Sequence, residues 1–281
     1  MHKGSIRVMT HWKMVAVAAL ACTQPALAQQ PDTSPPVELK RFFAEEAKQG
    51  VAADERHVYV NTNSAIGKYD KRTGARVAQW SGDPAQFIHM NSCAVVEREL
   101  VCAASNYPGV PMASSVEIFD PGTLRHIRTR SLGPGRGSLT WLDWHDGAWW
   151  AAFAHYDGKG GEPGRDHRST VLVRFDRNFA ETGAWLFPAG ILERFAPYSN
   201  SGGAWGPDGL LYVTGHDRPE AYVVRLPEAG STLVHVGTVA LATGGQAVDW
   251  DPAGDRILWS IDRAKREVVA VRLPQPKPVA P

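Results

Sequence analysis

The sequence predicts an all-β chain, folded as a single five-bladed β-propeller with four antiparallel strands per blade. The last blade is expected to be closed by a strand from the N-terminal end. Three observations predict this. Five segments of similar pattern recur at spacings of 43, 46, 63 and 45 residues, from starts at 48, 91, 137, 200 and 245. Each carries short runs rich in Val, Tyr, Trp and Ile, bounded by Gly, Pro and Asp turns, as half-buried strands do. The fifth repeat is one strand short, while a strand-like run stands unclaimed ahead of the first.

The repeats are "KQGVAADERHVYVNTN" (48–63), "NSCAVVERELVCAASN" (91–106), "GSLTWLDWHDGAWWAAFAHYD" (137–157), "NSGGAWGPDGLLYVTGHD" (200–217) and "GQAVDWDPAGDRILWSIDR" (245–263). Each reads as two strands about a turn. A third strand follows: "AIGKYDKRTG", "SVEIFDPGT", "TVLVRFDRN", "AYVVRLPEAG" and "EVVAVRLP". Four repeats add a fourth: "RVAQWS", "RHIRTRS", "GAWLFP" and "STLVHVGTVAL". Four strands at this period make a propeller blade. The long interval holds the insertion "GKGGEPGRDHRS" (158–169). The fifth blade takes "PVELKRFF" (36–43) as its missing strand, which hides two sheet edges. A sixth blade built from the irregular segments is the alternative count.

The flanks read differently. Residues 1–13 carry Lys3, Arg7 and Lys13 and no acid; "MVAVAALAC" (14–22) is a short apolar run; Ala26-Leu27-Ala28 offers a small-residue cleavage site. That is the layout of a signal peptide over 1–28, too short in its apolar part to span a bilayer. A secreted or periplasmic protein is expected, with a lipid anchor at Cys22 as the alternative. Residues 29–35 read as a disordered leader, 36–274 as the propeller and 275–281 as a disordered tail. Losing the three leader cations from 30 leaves 27 basic side chains against 29 acidic. No basic stripe is present, which argues against nucleic acid or an anionic membrane as partner. A monomer is expected. Cys93 and Cys102 flank a short turn and either face each other as a cross-strand disulfide or stay buried thiols.

Alternating strand direction sorts the connections onto two faces. The turns from first to second and from third to fourth strands are short and generic. The others are long and chemically rich: "SGDPAQFIHMNS", "SNYPGVPMAS", "HYDGKGGEPGRDHRS", "FPAGILERFAPYSNSGG" and "GHDRPE". Function is expected on that rich face, where variable loops sit on a rigid scaffold. The innermost strands open there on amides and hydroxyls around a central channel. These groups both donate and accept without charge; they bind either one another and ordered water or a ligand. The expected ligand-binding residues are Gln49, Asn61, His89, Asn91, Asn106, Tyr107, Tyr156, Asn200, Ser201 and Gln246.

Titratable groups near that mouth are Glu45, Glu46, His89, His155, Asp157, Glu162, Asp166, His167, His216, Asp217 and Asp262. His155 and His216 end the second strands of the third and fourth blades, so with Asp217 they are the candidate catalytic residues. No zinc spacing, nucleophile elbow or phosphate loop is present. The neutral strand openings disfavour a channel calcium, which prefers several carboxylates, and no cofactor is expected. Phe87, Tyr107, Tyr156, Phe187 and Tyr198 could wall an apolar ligand, while Trp141, Trp149, Trp150, Trp205, Trp250 and Trp259 read as inter-blade packing.

The run "AKQGVAADERHVYVNTNSAIGKYDKRTGARVAQW" (47–80) resembles the first blade of the plant- and bacterial-type glutaminyl cyclotransferases. Gln49-Gly50, Val58-Tyr59 and Asp70-Lys71-Arg72-Thr73-Gly74 carry the likeness. It implies a secreted five-bladed propeller that turns N-terminal glutamine into pyroglutamate. The family places a catalytic Glu just after that Tyr; here Val60-Asn61-Thr62-Asn63 stands, so the acid would fall to Glu46, Asp217 or Asp262. The chain also looks like secreted bacterial propellers, some labelled cycloisomerase, with stretches similar to "SNYPGVPM", "FAHY" and "SNSGG". The function expected is binding of a small polar molecule or peptide end at the channel mouth. The alternatives are a cyclase, lactonase or acyltransferase at the same mouth, and a protein-interaction scaffold.

Overall fold

The computed structural model describes Met1 and residues 35–278. Apart from Met1, the expected signal peptide and the leader up to residue 34 lie outside the described residues. A leading strand, β1 (Val37–Phe43), comes first. The first blade is β2 (Gly50–Ala53), β3 (His57–Asn61), β4 (Ala65–Asp70) and β5 (Arg76–Ser81). The second is β6 (His89–Val96), β7 (Glu99–Ser105), β8 (Ala113–Phe119) and β9 (His126–Pro134). The third is β10 (Ser138–His145), β11 (Ala148–Ala154), β12 (Val171–Phe175) and β13 (Glu181–Leu186). The fourth is β14 (Gly202–Trp205), β15 (Leu211–Thr214), β16 (Glu220–Arg225) and β17 (Val234–Ala240). The fifth is β18 (Asp249–Trp250), β19 (Ile257–Asp262) and β20 (Glu267–Arg272), and β1 completes it.

The five blades and the closure by β1 are therefore as the sequence predicts. β1 runs antiparallel to β20, from Val37 opposite Arg272 to Phe43 opposite Glu267. The segment expected as tail contains a further strand, β21 (Lys277–Pro278), which pairs with Thr238 and Gly237 of β17. Among the described residues no helix is long and apolar enough to cross a membrane.

The blades are buried on both faces, so their middle strands read as nearly continuous apolar runs. Alternation then sends successive side chains to opposite neighbours. In β3, Val58 and Val60 pack toward the fifth blade while Tyr59 packs toward the second. In β20, Val268 and Ala270 face the first blade and Val269 and Val271 the fourth. The core is thus five separate clusters, each sealed between two adjacent blades. The strand tryptophans sit in or against these clusters, as expected. Phe187 does too, buried beside Phe195, and Phe87 packs on Trp80 and Phe119 rather than walling a ligand.

Two features were not anticipated. The link 187–203 contains a short helix, α1 (Ala189–Phe195), which buries Ile191, Leu192 and Phe195 against the fourth blade. The inner strands also carry carboxylates near the face of the short turns. Asp143 accepts the N–H of Trp144 (2.7 Å) and that of Trp205 in the next blade (2.9 Å). Asp249 likewise accepts Trp250 (2.9 Å) and Ala53 of the first blade (2.7 Å). Burial raises both carboxyls above the ordinary range, and the charge of Asp143 adds to the rise at Asp249. Cys93 and Cys102 stand opposite each other on β6 and β7 and form the disulfide, with Cα atoms 3.9 Å apart.

Candidate functional site

The rich face holds a cavity of about 290 Å³ over the channel. Every blade contributes to it: Gln49 from the first, His89, Asn91 and Tyr107 from the second, Thr140, Tyr156 and Lys159 from the third. Tyr198, Ser201 and His216 come from the fourth and its preceding link, and Gln246 and Arg263 from the fifth. No carboxylate is among these lining residues, and two of them, Lys159 and Arg263, are cations. Of the expected ligand-binding residues, Gln49, His89, Asn91, Tyr107, Tyr156, Ser201 and Gln246 line the cavity.

The cavity floor is built by the polar strand openings bonding one another. Gln49 Nε2 donates to Asn63 Oδ1 (2.7 Å), and so does His89 Nδ1–H (3.1 Å). Asn91 Nδ2 donates to the Leu139 carbonyl of the third blade (2.7 Å), and Gln246 Nε2 to the His216 carbonyl (3.1 Å). Below them Ser105 meets Ser138 (2.8 Å) and Thr170 meets Ser199 (2.6 Å). All but Gln49–Asn63 tie neighbouring blades, and the bonds of Asn91, Ser105–Ser138 and Thr170–Ser199 satisfy buried polar groups.

Two aromatic walls rise from this floor. On one side His89 lies against Tyr107 (4.9 Å between centroids), and Tyr107 against Tyr156 (4.9 Å). Gly160 lets the insertion pass over Tyr107: a Cβ there would come within 2.5 Å of the ring, and its φ is +79°. On the other side His216 stacks on Tyr198 at 4.2 Å. Burial, with the charge of Arg263, lowers His89 to about 4, so its imidazole is neutral at physiological pH. Burial raises Tyr107 and takes Tyr156 up to about 12, so both keep their protons.

His216 has the most developed chemistry. Its Nδ1 lies 2.5 Å from Asp217 Oδ1, and its Nε2 2.9 Å from Arg263 Nη1. A side cavity of about 480 Å³ adjoins the mouth and is lined by Lys48, Asp217, Gly244, Gly245, Ile261, Asp262 and Ala264. It shares His216, Gln246 and Arg263 with the central one, so those three residues are the wall between the two.

Other expected residues lie elsewhere. His155 is buried and lines neither cavity; its Nδ1 has no hydrogen bond and stands 3.5 Å from Glu162 Oε2, and burial lowers its pKa. It does not meet His216. Glu162 in turn accepts the Met112 N–H (2.8 Å), clamping the insertion to the neighbouring loop. Asn61 is buried and donates to the Asn91 carbonyl (2.6 Å). Asn200 accepts the Trp141 indole N–H (2.5 Å) and donates to the carbonyls of Gly202 (2.9 Å) and Thr214 (2.8 Å). Asn106 organises its own loop through Ala113 N–H (2.8 Å) and the Pro111 carbonyl (3.1 Å).

The remaining acids are committed to partners. Glu46 accepts from Tyr69 (2.5 Å) and Arg76 (2.8 Å), and Glu45 also pairs with Arg76. Asp262 is shared by Arg41 (3.8 Å) and Lys265 (3.5 Å). Among the described residues, Asp157, Asp166 and His167 bring metal-ligating atoms together, outside both cavities. Asp157 already accepts from the His167 ring (2.6 Å), and Asp166 from Arg168. Lys159 and Arg263 went unpredicted, because each belongs to a loop whose path the strand pattern does not set.

No protein-family model matches the sequence, and no curated protein matches it. Solved structures share the fold. The PQQ-bound aldose sugar dehydrogenase of Streptomyces coelicolor superimposes with a TM-score of 0.53 at 12% identity, over 87% of this chain and 100% of that one. A structural-genomics target assigned as a gluconolactonase gives 0.50 at 12% identity, over 88% of this chain and 94% of that one. At this identity the likeness is one of propeller architecture.

Proposed function

We propose that this is a secreted or periplasmic propeller whose channel mouth binds a small polar molecule or peptide end bearing an acid group. One observation carries it: Lys159 and Arg263 share the central cavity with amides, hydroxyls and aromatic faces, and no carboxylate lines it. A cation pair in a partly enclosed site favours an anion, and the neutral amides supply orientation. The leader layout and the Cys93–Cys102 bond support an oxidising compartment. PQQ belongs to the Streptomyces protein; for this chain it serves as one acidic probe, and no cofactor is invoked.

Calorimetry with lactate, gluconate, a dipeptide and PQQ, each against its neutral amide or ester, tests the proposal. Acids should bind and neutral counterparts should not, and Lys159→Gln/Arg263→Gln should weaken binding roughly tenfold or more, as loss of a charge-assisted bond implies. Equal binding of neutral and acidic forms would sink it.

A second reading, an enzyme at the same mouth, is favoured by His216 held between Asp217 and Tyr198. Lactone hydrolysis and pyroglutamate formation from an N-terminal-Gln peptide are the assays. Activity that survives His216→Ala would remove His216 from it. The cyclotransferase form would need an acid from elsewhere, since Asn61 is a neutral amide bonded to the Asn91 carbonyl.

A further inference from the structure

His216 is placed as a base but is not free to act as one. A guanidinium only donates, so the imidazole Nε2 beside Arg263 must be a bare acceptor. The ring proton therefore sits on Nδ1, directed at Asp217. This is the tautomer that proton abstraction needs: a lone pair at the cavity and a carboxylate behind to hold the imidazolium. The stack on Tyr198 fixes the ring plane. Yet the lone pair is occupied by Arg263.

The cap is loosely held. Arg263 is exposed, lies in the turn after β19, and among the described residues has no carboxylate partner. Its neighbour Asp262 is taken by Arg41 and Lys265. A carboxylate is a stronger acceptor for a guanidinium than a neutral imidazole. The charged groups around His216 are Asp217 behind it, Lys48 and Asp262 in the side cavity, and Lys159 with neutral His89 across the mouth.

We propose that an acid-bearing ligand draws Arg263 off His216 and so uncovers the base. This deepens the acid-binding reading and rests on it. The ligand carboxylate takes the guanidinium. The exposed Nε2 then accepts a proton from an O–H or acidic C–H elsewhere on the same molecule, whose electron pair stays on the ligand, and the imidazolium keeps its Nδ1–H on Asp217. The substrate class is thus a small carboxylate carrying a hydroxyl or an acidic carbon a few bonds away. Arg263 becomes both the anchor and the safeguard against proton transfer without a bound acid.

The test uses the full propeller with histidine ring nitrogens followed by NMR, and sodium lactate and lactamide as probes. Lactate should move the His216 Nε2 signal toward that of a free lone pair, and lactamide should not. Arg263→Gln, which leaves only a shorter neutral amide donor, should produce the same shift with no addition, while Arg263→Lys, which keeps a charged donor, should shift it less. In Arg263→Gln, carbethoxylation of His216 should quicken roughly tenfold, the factor a charge-assisted bond represents, with His145, which stacks on Trp205 and lines neither cavity, unchanged in the same digest. If Arg263→Gln leaves both the signal and the rate as in the parent, the cap does not exist. Lactate that binds without moving Nε2 overturns the ligand-driven step. Lactate that gives no binding heat in calorimetry overturns acid binding itself, and Arg263→Gln still decides the cap.

Discussion

Replacing His89 by Asn should make the propeller less sensitive to acid. His89 is neutral in the folded state, lowered by burial and by the charge of Arg263 from the ordinary 6.5 to about 4. The unfolded chain takes up a proton near 6.5 and the folded chain only near 4, so stability is greatest above that window and falls as pH falls through it. The cost reaches about 2 kcal/mol by pH 5 and approaches 3 near pH 4. Asn keeps a donor in the place of Nδ1–H, which serves Asn63 Oδ1, and does not titrate. Asp143 and Asp249 act in the opposite sense, because their raised carboxyls gain stability as pH falls. They are present in both proteins and cancel in the difference. Urea unfolding of parent and His89→Asn at pH 7 and pH 5 is the assay. The parent should lose about 2 kcal/mol more than the variant over that span. A difference between the two that does not change with pH would refute the neutral, desolvated His89.

Four other outcomes follow from the packing. Cys93→Ala/Cys102→Ala should cost about 2–3 kcal/mol in urea unfolding, since the bond closes a loop with a sequence separation of 9, and reductant should then have no further effect. Asn200→Ala should cost about 2–4 kcal/mol, measured the same way, because it strands the buried Trp141 N–H and removes the donations to the Gly202 and Thr214 carbonyls. Gly245→Ala should cost about 2 kcal/mol, since its Cβ would lie 2.2 Å from the fixed Gly215 carbonyl oxygen. Gly190→Ala on α1, with open space around it, should be neutral or stabilising by up to about 1 kcal/mol in thermal melts.

The architecture was legible because a blade repeats its strand and turn chemistry, and because the fifth repeat lacked a strand that "PVELKRFF" supplies. The face carrying the cavity was legible for the same reason: connection lengths sort by strand direction. Individual side chains were less so. His155 and Asn200 stand in sequence beside Tyr156 and Ser201, and Asn61 pairs across the strands with Gly50, next to Gln49, yet these three turn inward while their neighbours line the mouth. A one-residue step in a strand reverses the face, and at strand ends bulges blur the count. α1 was hidden because a seven-residue helix leaves only Ile191, Leu192 and Phe195 as its buried pattern, too little to separate from loop. Lys159 and Arg263 were hidden because loop paths depend on contacts far apart in sequence, such as Gly160 against Tyr107. Asp143 and Asp249 carry no distinguishing signal in the strand pattern, and their role appears only when the next blade's N–H groups arrive.

The pairing of β1 with β20 sets an order of events during synthesis. The first strand of the ring to leave the ribosome pairs with nearly the last, so its edge waits while four blades form behind it. The entropic penalty for so distant a closure grows only slowly with length, but contacts of such long range slow folding. Until β20 arrives, β1 is an unpaired strand that a second copy could capture, and a chain cut after residue 43 would offer β20 as a vacant edge in return. The seam that completes the ring is therefore also where two molecules would exchange strands.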